Sequence, residues 1–200
     1  FRDMPIRSKL MLSFLALIIL PVFIIGFFSF YTSKSLLKEK TERYANDILM
    51  ETGENVDVKL NEIERLSFQI VSNMNIQMAL KKINSGIDDE YVKINIEKTI
   101  DTQLRGILSP GMDIAAAQVI SLSGKVYYIN PGSVSVQITE HEKEILERAG
   151  GSAVWFGTNP QSKTISVGRV INSIEDQTMA GYVVIFLRER SIYNIYNKTD

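Results

Sequence analysis

The chain has 200 residues, a formal net charge of −1 at pH 7 and no cysteine. The near-neutral charge, with neither a basic stripe nor basic residues interleaved with aromatic ones, argues against nucleic acid as a partner. The absence of cysteine excludes disulfides, thiolate metal sites and cysteine nucleophiles.

The first predicted element is a membrane helix over residues 10–31, a stretch of about 22 residues without a charged side chain. At about 1.5 Å per residue it forms about 33 Å of helix, enough to cross a hydrocarbon core about 30 Å thick. It starts at Leu10, contains Pro21 and Gly26, which membrane helices tolerate, and ends at the aromatic Tyr31. Aromatic residues there suit the membrane interface and stand where a signal peptidase requires small side chains, so we predict an uncleaved anchor.

Cations flank this helix on both sides, so the positive-inside rule alone does not set its orientation. The leading tail, residues 1–9, is short, whereas the chain that follows is long, and long domains translocate largely regardless of charge. We therefore predict a cell-membrane protein in contact with lipid, with a cytoplasmic N-terminus and with the chain after about residue 32 outside the cell.

Residues 32–84 contain no proline and a single glycine, Gly53, and predict one long juxtamembrane stalk helix. Side chains along it recur at the 4-3 spacing typical of a coiled-coil seam. The seam positions are Val56, Leu60, Ile63, Ser67, Ile70 and Met74. Two interpretations stay open: the seam packs on the following domain, or only its upper part does so while residues 44–53 pair with a second copy in a homodimer.

A second helix is predicted after Asp88 and Asp89, which are candidate caps, and it ends at Pro110-Gly111. The periodicity then changes to that of strands. The predicted strands cover residues 114–121, 125–130, 153–157, 164–172 and 182–187, with a turn at Pro131-Gly132.

Thr139 followed by Glu142 predicts a capping box at the start of a short helix between the second and third strands. A final helix starts near residue 192. This order predicts an α+β fold in which a transmembrane helix continues into the stalk and packs on an antiparallel sheet of about five strands. The other face of the sheet is expected to stay open for a ligand.

No catalytic, nucleotide-binding or metal site is predicted. His141 is the only histidine, and a zinc site needs several histidine, cysteine or carboxylate ligands. The sequence contains no phosphate-binding glycine loop followed by Lys-Ser or Lys-Thr. No cofactor is therefore expected in this chain.

An aromatic floor with one cation suits a small organic ligand, which makes four strand residues candidate ligand contacts. They are Tyr127, Tyr128, Trp155 and Arg169. The two tyrosines are neighbours on a strand and point to opposite faces. Trp155 has a structural alternative as a core residue, and Arg169 has one as an ion-pair partner of Glu175 or Asp176.

Several stretches together resemble the sensor half of YesM-type bacterial sensor histidine kinases, whose extracellular part is a double Cache domain. They are "MPIRSKL", "NVDVKLNEIERLSFQIVSN", "VWFG", "ISVGRVINS" and "GYVVIFLRERSIYNIY". In that family two membrane helices flank two stacked PAS-like lobes, and a HAMP linker, a phosphoacceptor-histidine helix and an ATP-binding domain follow. The resemblance implies that residues 85–190 form the membrane-distal Cache lobe and that residues 191–200 begin a connection to a second lobe.

The resemblance also implies a function. A homodimeric sensor would bind a small extracellular ligand such as a carbohydrate, or a solute-binding protein, and a movement of its helix would control autophosphorylation. The kinase domain outside these residues would use ATP and Mg²⁺ and phosphorylate a response regulator. The alternatives are a Cache sensor with another output, such as a chemoreceptor, and a membrane-anchored binding protein without kinase output.

Overall fold

The computed structural model describes residues 5–86, 88–108, 114–129 and 138–197. Within these ranges, side chains are described up to residue 194. The chain divides into two compact units, Phe1–Glu51 and Thr52–Asp200. The helices are α1 Ile6–Val71, α2 Met74–Asn84, α3 Glu90–Ile107, α4 Glu140–Arg148 and α5 Glu189–Asn197. The strands are β1 Ile114–Ser121, β2 Val126–Ile129, β3 Val154–Asn159, β4 Thr164–Asn172 and β5 Met179–Arg188. The predicted turns at Pro110-Gly111 and Pro131-Gly132 lie outside the described residues.

The first unit contains the predicted membrane segment, which is helical throughout as part of α1. Every residue from 10 to 31 is exposed, including Leu10, Pro21, Gly26 and Tyr31. An 18-residue window of this helix has a mean hydropathy of 2.8 and none of it is buried within the protein. By length and composition, α1 is the one helix in the described part of the chain that could cross a membrane.

In the second unit, α1 packs through its last turns and ends at Val71, so the single stalk helix predicted over residues 32–84 is wrong at residues 72–73. Asn73 stops the helix and caps α2, because its side-chain oxygen accepts hydrogen bonds from the backbone N–H groups of Asn75 at 3.0 Å and Ile76 at 3.2 Å. Gln77 Nε2 completes the corner by donating to the Val71 carbonyl at 2.6 Å. The chain therefore turns where the predicted seam ran straight on.

The five strands form one antiparallel sheet in the order β2-β1-β5-β4-β3, which confirms the α+β fold. The central strand β5 is buried from Ala180 to Leu187, as its continuous apolar run predicts. Gly181 faces Ser121 on one neighbour and Ile171 on the other. A Cβ atom at Gly181 would overlap the carbonyl oxygen of Ile120, so this strand can approach β1 only with glycine there.

The two faces of the sheet pack against different helices. The helical face is the side on which α1, α2 and α3 form the main core with Ala117, Val119, Val167, Ile171, Val183, Ile185 and Leu187. The α4 face is the opposite side, where Leu146 of α4 and Ile138 pack against Ala116, Ile120, Val170, Val184 and Phe186. The expectation of an open second face is therefore wrong in this part of the sheet, because α4 covers it.

Candidate functional site

Trp155 lies on β3, on the helical face, and its ring is partly buried against the main core. Its indole Nε1 donates a hydrogen bond of 2.6 Å to the carboxylate Oε1 of Glu64 on α1. Through this bond Glu64 holds the helix on the edge of the sheet. A charged acceptor makes this one of the stronger hydrogen bonds between α1 and the sheet.

Arg169 lies on β4 beside Trp155 and also faces α1. Its Nε donates to the Ser67 hydroxyl at 2.8 Å, and its Nη1 donates to the Gly151 carbonyl at 2.9 Å. The guanidinium carbon lies 5.9 Å from the centre of the Phe68 ring. Burial lowers the pKa of Arg169 while the nearby Glu64 carboxylate acts in the opposite direction. We call the three hydrogen bonds of Trp155 and Arg169 the α1 clasp.

The suggested ion pairs between Arg169 and Glu175 or Asp176 are wrong. Both carboxylates bind Lys81 of α2 instead, with Nζ–O distances of 3.0 Å to Glu175 and 2.9 Å to Asp176. These ion pairs tie α2 to the turn between β4 and β5. Arg169 has no carboxylate partner within 4 Å in the described ranges, so its charge is satisfied by neutral oxygens in the clasp.

The seam residues separate into three groups. Ile63, Ser67 and Ile70 are fully buried between α1 and the sheet, Val56 and Leu60 are half-buried, and Met74 is 54% exposed. Met74 is not a seam position, because it begins α2 after the chain has turned at Asn73. Leu66, which the predicted spacing omitted, is 3% exposed and belongs to the core. The upper seam therefore packs on its own domain, and Ser67 serves the clasp.

A cleft of about 440 Å³ lies between α3 and the sheet-edge strand β2, and it brings together both predicted tyrosines. Its inner wall is apolar, with Ile100 and Leu104 fully buried. Its outer wall on α3 carries Glu97, Lys98 and Asp101. We call this the α3–β2 cleft, and its volume lies within the range of small-molecule sites.

Tyr127 is 5% exposed and Tyr128 is 53% exposed, because neighbouring strand residues point to opposite faces. Burial, with a smaller contribution from the Glu97 carboxylate, raises the pKa of Tyr127 to about 12. Lys125 Nζ lies 5.2 Å from the centre of the Tyr127 ring and 3.9 Å from a Glu97 oxygen, which ties β2 to α3. Tyr127 therefore remains a neutral hydroxyl at physiological pH.

On the α4 face, Leu146 packs directly over Gly168, where a Cβ atom would come within 2.9 and 3.0 Å of the two Leu146 methyl carbons. The Tyr182 hydroxyl donates to the Glu147 carboxylate of α4, and burial together with this bond raises the pKa of Tyr182. The capping box of Thr139 and Glu142 opens α4 as predicted. These contacts fix α4 on the sheet.

The sequence could not identify Glu64, Lys81 or Glu97 as partners of the candidate residues, because each lies far from its partner along the chain. One signal was available at Ser67, a hydroxyl in an otherwise apolar seam, which marks a polar contact within a packed face. The ligand-binding roles of Trp155, Arg169, Tyr127 and Tyr128 remain predictions.

The fold is a Cache-type, PAS-like α+β fold, in which the last turns of α1 pack on a five-stranded antiparallel sheet. The ligand-binding domain of the Pseudomonas aeruginosa PAO1 amino-acid chemoreceptor PctC, solved with GABA, superposes with a TM-score of 0.52 at 13% identity, over 80% of this chain and 69% of that one. The ligand-binding domain of the Pseudomonas fluorescens chemoreceptor CtaA, solved with L-isoleucine, gives a TM-score of 0.50 at 12% identity, over 82% of this chain and 63% of that one.

At the sequence level the chain is similar to the sensor histidine kinase YesM of Bacillus subtilis strain 168. The two are 25% identical over 192 residues, which is 94% of this chain and 32% of that protein. The chain thus spans about a third of the length of the curated relative it matches. No family model matches the chain. The predicted resemblance to the sensor part of a YesM-type kinase is confirmed.

Proposed function

We propose that this chain is the extracellular ligand-sensing part of a bacterial membrane-bound sensor histidine kinase. Residues 10–31 anchor it in the cell membrane, the preceding tail is cytoplasmic, and the Cache-type domain lies outside the cell. The observation that carries this proposal is that α1 contains both the charge-free apolar stretch and the buried residues Ile63, Leu66 and Ile70 of the domain core. The similarity to YesM supports the same role.

A ligand would act by changing how α1 sits on its own sheet. The apolar contacts of Ile63 and Ile70 tolerate small shifts, whereas the hydrogen bonds of Trp155 to Glu64 and Arg169 to Ser67 hold in one register only. A ligand that binds one register better shifts the population toward it by its difference in affinity. Since α1 also contains the membrane segment, a slide or rotation of the helix is the signal that crosses the membrane.

The remaining parts of the proposal concern the whole protein. The output is ATP- and Mg²⁺-dependent autophosphorylation of a homodimeric kinase and phosphoryl transfer to a response regulator. The ligand is a small extracellular molecule, with a carbohydrate as the first class to test, free or delivered by a solute-binding protein. The length of YesM beyond the aligned region leaves room for such an output part.

The topology can be tested by cysteine labelling, because the chain has no cysteine of its own. Ser85→Cys places a thiol on an exposed residue that caps the end of α2. In intact cells a membrane-impermeant maleimide should label Ser85→Cys and should label Ser8→Cys only after the membrane is opened. Labelling of Ser8→Cys alone in intact cells would overturn the proposed orientation.

The coupling role of α1 is tested with a matched pair of aspartates. Leu60→Asp puts a charge on a half-buried seam position, whereas Val58→Asp puts the same charge on a residue that is 67% exposed. We expect Leu60→Asp to abolish ligand-dependent phosphorylation of the response regulator in the full-length protein and Val58→Asp to preserve it. Normal signalling by Leu60→Asp would show that α1 does not transmit the signal.

A chemoreceptor output is the second candidate, because the solved structures described above are chemoreceptor ligand-binding domains. The membrane anchor and the ligand-binding lobe would serve both outputs equally. The downstream reading frame discriminates between them, since a kinase requires a phosphoacceptor histidine and nucleotide-binding motifs, whereas a chemoreceptor requires a long methyl-accepting coiled coil.

A further inference from the structure

We propose that the α3–β2 cleft binds a small uncharged ligand rich in hydroxyl groups. This inference rests on the proposed sensing function and adds the location of the site and the residues that read the ligand. The cleft lies on the helical face, away from the surface that α4 covers. Its volume of about 440 Å³ suits a ligand of the size of a mono- or disaccharide.

The Tyr127 hydroxyl is the group that points to a ligand. Tyr127 is 5% exposed and lines the cleft, and its hydroxyl oxygen is open to the cleft and makes no hydrogen bond to a described residue. A tyrosine hydroxyl that is open to the cleft and has no partner in the protein is available to bond to a ligand. A ligand hydroxyl in the cleft would supply this partner, since the neutral phenol both donates and accepts.

The charges around the cleft balance, which favours a neutral ligand over an ion. Both Asp101 oxygens accept from Arg105 Nε, at 2.8 and 3.0 Å, and Glu97 is neutralised more loosely by Lys125 at 3.9 Å. Lys98 is exposed and makes no ion pair among the described residues, where Asp101 pairs with Arg105 and Glu97 with Lys125, so its ammonium can donate to a ligand. A cation would meet Lys98 and Lys125, and an anion would meet Glu97 and Asp101.

The polar groups and the apolar wall together match the surface of a sugar. Glu97 and Asp101 are four residues apart on α3 and present acceptors on one side of the helix, suited to adjacent hydroxyl groups. Lys98 and Tyr127 present donors. Ile100 and Leu104 form an apolar wall for the C–H faces of the ligand. Such a mixture of few polar groups on an apolar wall is typical of small-molecule sites.

The test measures binding of neutral sugars to the full-length protein in nanodiscs by saturation-transfer NMR. The probes are glucose, galactose, mannose, xylose and their disaccharides, with choline and succinate as the cationic and anionic rivals. We expect at least one neutral sugar to bind with a dissociation constant of about 1 mM or tighter, and choline and succinate not to bind. Failure of every neutral probe up to about 10 mM, or binding of choline or succinate alone, would overturn the proposal.

Three variants locate the binding. Tyr127→Phe keeps the shape of the ring and removes only the hydroxyl, so affinity should fall about fivefold. Ile94→Trp fills the mouth of the cleft from an exposed position and should abolish binding. Tyr182→Phe is the matched control, because it removes a buried hydroxyl from the α4 face of the same sheet and should leave the affinity unchanged. Unchanged affinity in both Tyr127→Phe and Ile94→Trp would place the sugar elsewhere.

Signalling assays separate a failure of the site from a failure of the proposed function. If sugar binding depends on Tyr127 but Tyr127→Phe leaves the sugar dose-response of the kinase unchanged, the cleft is a binding site that does not control the output. If no sugar binds the cleft while Leu60→Asp still uncouples the kinase from its stimulus, the sensing function stands and the cleft proposal is wrong.

Discussion

The two faces of the sheet hold their helices in different ways. On the helical face, large apolar residues pack against α1 and directed hydrogen bonds from Trp155 and Arg169 fix the helix at its edge. On the α4 face, small residues such as Ala116 and Gly168 make a shallow surface into which Leu146 fits. The comparison shows what positions each helix. Directed polar contacts fix α1 in one register, whereas the shape of the packed surface positions α4.

Gly181→Ala has the largest expected effect. The added Cβ on the helical face would overlap the backbone carbonyl of Ile120, and a backbone atom cannot move aside as a side chain can. We expect a loss of about 4 kcal/mol or more in the free energy of unfolding, or failure to fold. Urea denaturation of the purified protein measures it. A loss below about 1 kcal/mol would contradict the close approach of β5 to β1.

Leu146→Ala should cause the second-largest loss of stability, and it tests only the packing of α4 on the sheet. Leu146 is fully buried over Gly168, so truncation leaves a cavity and should cost about 3 kcal/mol. Gly168→Ala, which crowds the ends of the same side chain, should cost about 1 kcal/mol.

The double variant Leu146→Ala with Gly168→Ala gives the sharper measurement. Because the second substitution fills part of the space that the first one opens, the two losses should not add, and the double variant should be more stable than their sum by about 1 kcal/mol. Additive losses in the double-mutant cycle would show that Leu146 and Gly168 do not contact each other.

The stabilisation by the α1 clasp should depend on whether residue 64 can accept a hydrogen bond, rather than on the size of its side chain. Glu64→Leu leaves the Trp155 N–H without an acceptor and should destabilise the domain by about 1–2 kcal/mol. Glu64→Gln keeps an acceptor oxygen and should cost about half as much. Fluorescence of Trp155, the only tryptophan in the chain, follows unfolding and also the environment of the clasp. Equal losses in the two variants would show that the hydrogen bond does not hold α1.

Local periodicity was sufficient to predict most of the fold. The bounds of β1 and β4 agree with the sequence analysis, and the caps at Asp89 and Thr139 form as expected, since each depends on residues close in sequence. The break at Asn73 was missed because Met74 happens to continue the four-residue spacing from Ile70. A single capping asparagine was the only local signal against a continuous helix.

The candidate site was harder to predict, because its contacts join distant parts of the chain. Trp155 and Arg169 both carry N–H donors, so the sequence alone showed that each needs a hydrogen-bond acceptor. Their acceptors, Glu64 and Ser67, become neighbours only when α1 packs on β3 and β4. Strand alternation did predict that Tyr127 and Tyr128 face opposite ways. It could not predict that α3 would cover one of them and form a cleft.

The smallest expected effect is the pH dependence of the free energy of unfolding. Its direction at Asp176, which binds α2, is opposite to its direction at Tyr182 on the α4 face. Hydrogen bonds from Lys81 and then Thr178 lower the pKa of Asp176 below its ordinary value of 3.8. A carboxylate with a lowered pKa stabilises the fold above the unfolded-state value, and this stabilisation is lost as the pH falls through the folded-state pKa. Tyr182 on the α4 face has a raised pKa, so its contribution is present below about pH 10 and is lost at higher pH.

Asp176→Asn should therefore lower the melting temperature slightly at neutral pH, and its difference from the wild type should shrink as the pH falls from about 4 toward 2. Glu175→Gln is the matched control, because Glu175 binds the same Lys81 Nζ but lacks the bonds that Thr178 donates to Asp176. Tyr182→Phe should instead differ from the wild type throughout the acid range and converge with it only in alkali. If the Asp176→Asn difference stayed constant down to about pH 2, the tie between α2 and the β4–β5 turn would not depend on this carboxylate.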